Sequence, residues 1–285
     1  MPEGHTLRRL ADDLAGAFAG RDVTASSPQG RFAEEAHLLD GSRLLGTDSA
    51  GKHLFLDFED ERVVHVHLGL YGKFVIRRGE APPPVGQVRL RLVADGRDGR
   101  DAAYADLRGA TQCALVDDAA RTSVLGRLGP DPLRPGADPT PAWQRISRTH
   151  RPIGELLMDQ QVLAGVGNVY RAEILFRHRL HPLRPGKTLR RGQFLAMWQD
   201  LVELMPDGVR TGRIDTVRPE HLPPGRRRRG RGGDVYVYRR QGLPCLVCGT
   251  EVRTEVLATR NSFWCPKCQP VFRSRAATVV GPSSR

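Results

Sequence analysis

Four cysteines constrain what this 285-residue chain can fold into more than any other feature of its sequence. They form two Cys-x2-Cys pairs with 16 residues between the pairs: Cys245, Cys248, Cys265 and Cys268. Two thiolates on one tight turn supply half of a tetrahedron and a facing turn supplies the rest, so the spacing predicts a zinc site. Because four thiolates leave no position open for water, we expect one structural Zn²⁺. Two disulfides are the alternative, which only an oxidising compartment would favour.

The segment between the two cysteine pairs predicts a β-hairpin held up by the metal. Its residues Val252, Thr254, Val256 and Leu257 are typical of strands, and a polar turn at Thr259-Arg260-Asn261-Ser262 follows them. A basic tip of this kind can enter a groove of DNA, although a solvated turn is equally common.

The charge balance favours an anionic partner. The chain carries 44 Lys+Arg against 32 Asp+Glu, a formal net charge of +12, but only four of the basic residues are lysine. Nucleic acid is the commonest large anionic partner, while a genome of high GC content, which encodes Arg wherever Lys would serve, explains the excess equally well. No apolar run approaches the roughly 18 residues of a membrane span. Charges at positions 8, 9, 12 and 13 interrupt any secretory signal, so we expect a cytoplasmic protein without a membrane partner.

The pattern of the first half predicts a β-sandwich with a flanking helix. Apolar residues recur at helical spacing after Pro2-Glu3-Gly4, and short alternating segments separated by Gly, Pro and Asp run from residue 54 to 106. Cys113 lies in the apolar segment Ala110 to Val116 and is expected to be a buried thiol. The fold class is therefore α+β, with a two-sheet N-terminal sandwich.

The second half is predicted to be mainly helical. A Gly- and Pro-rich linker at 129–141 separates it from the sandwich, and helical patterns cover 142–147, 153–158, 169–177 and 191–205. The cysteine hairpin follows these helices.

Two local patterns have competing interpretations. In the strand 63–68, His65 and His67 share one face, where they could be ligands or bases, and a half-exposed strand face is favoured. Gly165-Val166-Gly167-Asn168 opens a helix, and this predicts a tight turn whose backbone N–H groups face outward toward a phosphate. An ordinary turn is the alternative for the second pattern.

Four motifs, in this order, resemble the formamidopyrimidine-DNA glycosylase and endonuclease VIII family, and most closely its endonuclease VIII-like, actinobacterial-type branch. They are Met1-Pro2-Glu3-Gly4; Gly51-Lys52-His53; the helix-two-turn-helix signature Gly165 to Arg171; and Arg260 followed by Cys265-Pro266-Lys267-Cys268-Gln269. The resemblance implies a catalytic sandwich at 1–130 and a helix-two-turn-helix domain at 131–232 that ends in an arginine-rich loop. It further implies a zinc hairpin at 233–270, and we expect a disordered tail at 271–285.

The resemblance also implies a bifunctional DNA glycosylase and AP lyase of base excision repair. Removal of Met1 would expose Pro2, whose secondary amine attacks C1′ of the deoxyribose and forms a Schiff base. An α-amino group has a reference pKa of roughly 8, which leaves a neutral fraction at physiological pH. Glu3 is implied as the general acid, and burial would raise its pKa while the helix N-terminus lowers it. Lys52 and Arg260 are implied to assist the β,δ-elimination that follows.

The same resemblance assigns contacts to damaged double-stranded DNA, the expected partner of a monomeric, nucleoid-associated enzyme. Lys52, Asn168 and Arg260 would bind phosphates, and Tyr238 and Arg240 match a less specific stretch. Leu70 and Tyr71 would fill the space left by the flipped base, although without the family they would be core residues at a strand end.

Several departures from the family bear on specificity. Thr6 stands where a second glutamate is usual, and His5 replaces a frequent proline or leucine. Arg108, which the resemblance implies as a further DNA contact, lies in an Asp-x-Arg stretch. This stretch lacks the phenylalanine of the formamidopyrimidine branch, so oxidised pyrimidines are favoured over 8-oxoguanine. An arginine run at 226–231 would add sequence-independent affinity or be a solvated linker.

A different class of function remains open at this point. The chain could be a catalytically silent, zinc-dependent damaged-DNA binding protein of the same fold. Intact Pro2, Glu3 and Lys52 favour the enzyme, because a binding module needs none of them.

Overall fold

The computed structural model describes residues 2–96, 99–222 and 233–273. Met1, the arginine run at 226–231 and the tail from 274 onward lie outside the described residues. Within the described ranges, no helix is both long and apolar enough to cross a membrane.

The N-terminal half is a sandwich of two antiparallel sheets with helices at its margins, as predicted. The elements are α1 (Gly4–Phe18), β1 (Arg21–Asp22), β2 (Thr24–Ser26), α2 (Ala33–Leu39), β3 (Arg43–Ala50), β4 (His53–Phe58), β5 (Val63–His67), β6 (Lys73–Arg78), β7 (Val88–Ala94), β8 (Ala103–Arg108), β9 (Gln112–Val116) and α3 (Asp118–Gly126). One sheet has the strand order β1-β3-β4-β5-β9 and the other β2-β7-β8-β6.

Alternation along the strands decides which side chains enter the sandwich core. Leu54 and Leu56 of β4 and Val64 and Val66 of β5 are fully buried between the sheets. Cys113 joins the same core as a buried thiol, as predicted.

The opposite face of β4 and β5 differs from its prediction. His65 is only 1% exposed, so the half-exposed interpretation is wrong for this residue, although His67 is half-buried. The reason is a second, smaller apolar cluster on the outer side of this sheet, where Phe55 and Val63 pack with residues from α3 and its flanks. The Phe55 ring stacks on the His65 ring at 4.8 Å.

The second half is helical and carries its own core. Its elements are α4 (Thr140–Ile146), α5 (Ile153–Leu156), α6 (Asn168–Arg177), α7 (Arg191–Thr211), β10 (Arg253–Leu257) and β11 (Arg260–Trp264), with 3₁₀ turns at Gly186–Thr188 and Pro219–His221. Helix α7 continues past Pro206, beyond its predicted end at 205, and stops where Gly212 adopts a left-handed conformation. Met205 and Gly208 are buried, so packing of this last stretch outweighs the proline.

The hairpin tip also differs in detail from its prediction. Strands β10 and β11 pair directly from Leu257 with Arg260, which leaves only Ala258 and Thr259 in the turn. Both have positive φ angles, 47° and 67°, as a two-residue type I′ turn demands. Arg260 to Ser262 were expected in the turn, but they belong to β11, which places Arg260 at the first strand position after the tip.

Candidate active site and nucleic-acid interface

Glu3 lies where α1 meets the start of α6, and its side chain is fully buried. Its carboxylate accepts backbone hydrogen bonds from Val169 at 2.7 Å, Gly167 at 3.1 Å and Tyr170 at 3.3 Å. A Cβ on residue 167 would lie 2.3 Å from the Glu3 carboxyl carbon, so only glycine permits this approach. The prediction that the N–H groups of this turn face outward is therefore wrong, since Glu3 caps them.

Burial raises the pKa of the Glu3 carboxyl above its ordinary value. The positive charge of Lys52 and the hydrogen bonds from Val169, Tyr170 and Gly167 act in the opposite direction but do not outweigh burial. The carboxyl therefore retains a proton more readily than an exposed glutamate does.

Pro2 immediately precedes Glu3 in the chain and lines a cavity of about 690 Å³. The walls come from α1 on one side and from the segment 68–75 on the other, and they include Thr6, Leu10, Leu70 and Phe74. A mainly apolar hollow of this size beside a reactive group is typical of a small-molecule site. It places Thr6 on the wall next to Pro2.

Lys52 lies in the tight turn between β3 and β4, and a residue far along the chain holds this turn by a hydrogen bond. Gly51 has a φ of 56°, and its N–H donates to the buried carboxylate of Asp131 at 2.8 Å. Asp131 also accepts from the N–H of Leu133 at 2.9 Å. The sequence interpretation took this Pro-flanked aspartate for part of a linker; its position between two prolines was the signal that could have revealed it.

The Lys52 ammonium group lies among other charges. Burial lowers the pKa of Lys52, the positive charges of Arg260 and Arg171 lower it further, and Glu3 raises it. Lys52, Glu3 and Arg260 are thus close enough to interact electrostatically, although they come from three separate parts of the chain.

The hairpin tip is tied to α6 by two buried side chains. Asn168 Nδ2 donates to the carbonyl of Asn261 at 3.1 Å, and the Arg171 guanidinium donates to the same carbonyl at 2.9 Å and to Asn168 Oδ1. Arg171 is 1% exposed, and burial lowers its pKa to about 10. Sequence reasoning assigned Arg171 no role of its own, because a charged residue on a helix is usually exposed.

A groove of about 340 Å³ brings together most of the predicted DNA contacts. Its lining residues are Leu70, Tyr71, Asn168, Tyr238, Arg239, Thr259, Arg260, Asn261 and Phe263. Tyr71 is 84% exposed and Leu70 37%, so neither is a core residue of the sandwich. Arg239 was not predicted; its guanidinium lies 5.5 Å over the Tyr238 ring.

Two predicted DNA contacts are occupied within the protein and do not line this groove. Arg108 donates to the buried Asp106 carboxylate at 2.8 Å and to the carbonyl of Val85. Arg240 donates to the carbonyls of Tyr236 and Pro244 at 2.6 and 2.9 Å.

The four cysteines converge as predicted. Their sulfurs all lie within 4.8 Å of one another, and the separations Cys245–Cys268 and Cys248–Cys265 are 3.9 and 3.5 Å. These are too long for disulfide bonds and close to the edge of about 3.8 Å of a tetrahedron with Zn–S bonds of about 2.3 Å. The donor set fits a zinc site with no free position.

Three family profiles match the chain, and together they span most of it. The Formamidopyrimidine-DNA glycosylase N-terminal domain matches residues 1–113, the Formamidopyrimidine-DNA glycosylase H2TH domain matches 128–218, and the Zinc finger found in FPG and IleRS matches 242–271. Endonuclease 8 1 of Mycobacterium tuberculosis is 53% identical over 280 residues, which cover 94% of this chain and all of that protein.

Two solved structures have the same fold. The MutM (Fpg) protein of Thermus thermophilus is 30% identical, with a TM-score of 0.70 over 94% of this chain and 98% of that one. The Fpg of Lactococcus lactis in complex with DNA containing an abasic site has a TM-score of 0.76 over 94% of this chain and all of that one. At 20% identity, the second likeness shows the fold alone.

Proposed function

This chain belongs to the formamidopyrimidine-DNA glycosylase and endonuclease VIII family, and on that premise we propose that it removes oxidised pyrimidines from double-stranded DNA. It is a DNA glycosylase with AP lyase activity, of the base excision repair type. The observation that carries the proposal is the buried Glu3 carboxyl, with its raised pKa, one residue after Pro2 in the chain and within electrostatic reach of Lys52.

In the first step the secondary amine of Pro2 attacks C1′ of the damaged nucleotide. The N–C1′ bond forms, the glycosidic bond to the base breaks, and the base leaves with the proton that the amine loses. Glu3 protonates O4′ as the sugar ring opens, which yields the Schiff base. A carboxyl that holds its proton more firmly than an exposed glutamate is suited to this step, and burial raises the pKa of Glu3 in that direction.

The Schiff base then acidifies the sugar hydrogens and permits elimination. Loss of a proton from C2′ expels the 3′ phosphate, and a second elimination expels the 5′ phosphate. Lys52 and Arg260 hold the phosphates that leave, Asn168 adds a neutral contact, and Leu70 with Tyr71 occupies the space of the flipped base. Zinc, as one structural ion, holds the hairpin that carries Arg260, and the enzyme acts as a monomer.

Borohydride trapping on a duplex with one abasic site tests the mechanism. We expect a covalent adduct with protein whose Pro2 amine is free, as verified by mass spectrometry. A matched protein with one additional residue before Pro2 should bind the same duplex and give no adduct. Binding without an adduct in both preparations would contradict the enzyme and support a silent binding protein.

A lesion panel tests the substrate preference separately. Thymine glycol and dihydrouracil should be excised faster than 8-oxoguanine opposite cytosine under single-turnover conditions. The reverse order would contradict the preference for pyrimidines while leaving the mechanism intact.

A further inference from the structure

Three histidines share the outer face of the sandwich beside Lys52. His53 begins β4 and pairs in register with His67 at the end of β5, while His65 lies two residues earlier on the same face. The His53 ring lies 5.1 Å from the His65 ring and 5.2 Å from the His67 ring, measured between centroids. The proposed mechanism does not use His53 or His65.

A directed chain of hydrogen bonds runs through two of these rings. The Gln112 amide nitrogen, Nε2, lies 3.0 Å from His65 Nδ1, and His65 Nε2 lies 2.9 Å from His53 Nδ1. Because the amide nitrogen can only donate, His65 Nδ1 accepts and the proton of that ring is on Nε2. His65 Nε2 then donates to His53 Nδ1, which leaves the proton of His53 on its own Nε2.

Both rings stay neutral in this environment. The pKa values of His53 and His65 are lowered to about 4, chiefly by burial; the neighbouring histidines contribute to both shifts, and Arg127 and Lys52 contribute to that of His53. Among the described residues, no hydrogen-bond partner is found for His53 Nε2, although His53 is only half-buried. The His53 ring therefore offers one uncharged N–H donor to a ligand that binds at the start of β4.

The neighbours of His53 at this end of the two strands suggest what its N–H binds. Lys52 immediately precedes His53, and Gly69-Leu70-Tyr71 follows His67 on the adjacent strand. The start of β4 and the end of β5 thus lie between Lys52, the proposed phosphate contact, and Leu70 with Tyr71, which would fill the space of the flipped base.

We propose that His53 binds a phosphate of the DNA backbone as a neutral donor through Nε2, and that His65 and Gln112 are positioning residues that hold it in this tautomer. The inference rests on the proposed function, because it takes DNA as the ligand that binds beside His53. A neutral contact adds affinity without releasing a counterion, whereas a lysine or arginine contact adds both affinity and salt dependence.

Nitrogen-15 NMR of the zinc-loaded protein reads the tautomers without any DNA. At pH 7 we expect His53 and His65 to be protonated on Nε2 and bare on Nδ1. Gln112→Glu should reverse both rings, because a carboxylate can only accept from His65 Nδ1. His53 protonated on Nδ1 in the unaltered protein would overturn the proposal.

Binding to a duplex with a tetrahydrofuran abasic analogue, which cannot react, tests the phosphate contact. His53→Phe keeps a ring between its neighbours and should weaken binding about tenfold with an unchanged slope of log affinity on log salt. Lys52→Gln should weaken binding and reduce the slope by roughly 0.9. His53→Gln keeps an N–H donor and should lose less affinity than His53→Phe.

The outcomes separate this inference from the proposed function. Unchanged affinity in His53→Phe, or a slope that falls by about one unit, would overturn the neutral contact even if trapping succeeds. A failed trapping experiment with the expected affinities and tautomers would overturn the catalytic mechanism and leave the phosphate contact standing. Absence of DNA binding would overturn both. Circular dichroism and zinc content identify any variant that has failed to fold.

Discussion

Two fully buried glutamates of this molecule accept backbone hydrogen bonds in similar ways and differ in how many acceptor positions remain. Glu173 lies within α6 and holds the segment 236–238 in place. Its oxygens accept from the N–H groups of Tyr236, Val237 and Tyr238 at 2.6 to 2.9 Å and from the Thr216 hydroxyl at 2.5 Å. Glu3 accepts from three N–H groups at 2.7 to 3.3 Å.

A carboxylate offers about four lone-pair sites, two on each oxygen. Glu173 uses all four, so nothing is left to exchange a proton with a substrate. Glu3 uses one site on Oε1 and two on Oε2, which leaves a site on Oε1. Burial and backbone contacts are therefore common to a structural carboxylate and to one suited to acid catalysis. The two glutamates differ in the acceptor position that stays unoccupied on Glu3.

Replacing the filled carboxylate should have the largest effect on stability. Glu173→Gln turns an amide N–H₂ toward N–H donors, and this leaves buried groups of the 236–238 segment without acceptors. We expect a loss of about 3–5 kcal/mol in the free energy of unfolding, measured by denaturant titration. A loss below about 1 kcal/mol would show that the hydrogen bonds of Glu173 to the 236–238 segment contribute little to the stability of the fold.

Replacing the partly filled carboxylate should affect chemistry as well as stability, because an amide at this position also faces backbone N–H donors. Glu3→Gln removes the proton donor, so base excision should fall by about 10²–10⁴-fold in single-turnover assays. Elimination at a preformed abasic site, whose sugar already opens to an aldehyde, should fall much less. Equal losses in both reactions would contradict the assignment of Glu3 to ring opening.

The raised pKa of Glu3 predicts a specific pH dependence of stability. The folded state holds this proton more firmly than the unfolded state, so the contribution of Glu3 is complete at low pH. It is lost as the pH rises from the ordinary glutamate value of 4.5 through the raised folded value. The difference in unfolding free energy between the unaltered protein and Glu3→Gln should therefore fall by up to about 1.4 kcal/mol per pH unit in that window. A difference that rises with pH would contradict the direction of the shift.

The smallest expected effect comes from removing one hydrogen-bond donor to the Glu173 carboxylate. Thr216→Val keeps the shape of the side chain and removes the hydroxyl donor, which should cost about 1 kcal/mol of stability. Activity per folded molecule should stay unchanged, because Glu173 takes no part in the proposed mechanism and its free lone pair would not contact the substrate. A gain or loss of base excision would show that the two carboxylates are coupled through α6.

The sequence was most informative where chemistry is local in the chain. The zinc ligands come in two pairs on tight turns, so spacing alone predicted their convergence, and the strand alternation at 54–58 and 63–67 predicted the sandwich core. Pro2 and Glu3 were available from the family resemblance.

Contacts between distant segments could not be predicted in the same way. The turn at Gly165–Gly167 is compatible with N–H groups that face solvent, and only the approach of Glu3 reverses that interpretation. Asp131 looked like part of a linker because its partner, the N–H of Gly51, is 80 residues away. The burial of His65 likewise depends on a distant segment, because the Phe55 ring that stacks on it belongs to an apolar cluster against which Val124 of α3 packs.

The long separation between Glu3 and its partners also has a consequence for biosynthesis. Gly167 and Tyr170 are added 164 and 167 residues after Glu3, about 10–30 s later at 5–20 residues per second. During that interval the start of the chain has left the ribosome while its carboxyl has no α6 to cap and no enclosed pocket. Any trimming that exposes the Pro2 amine therefore has a limited period of easy access, and the Glu3 carboxyl gains its hydrogen-bond donors only when about three fifths of the chain has been made.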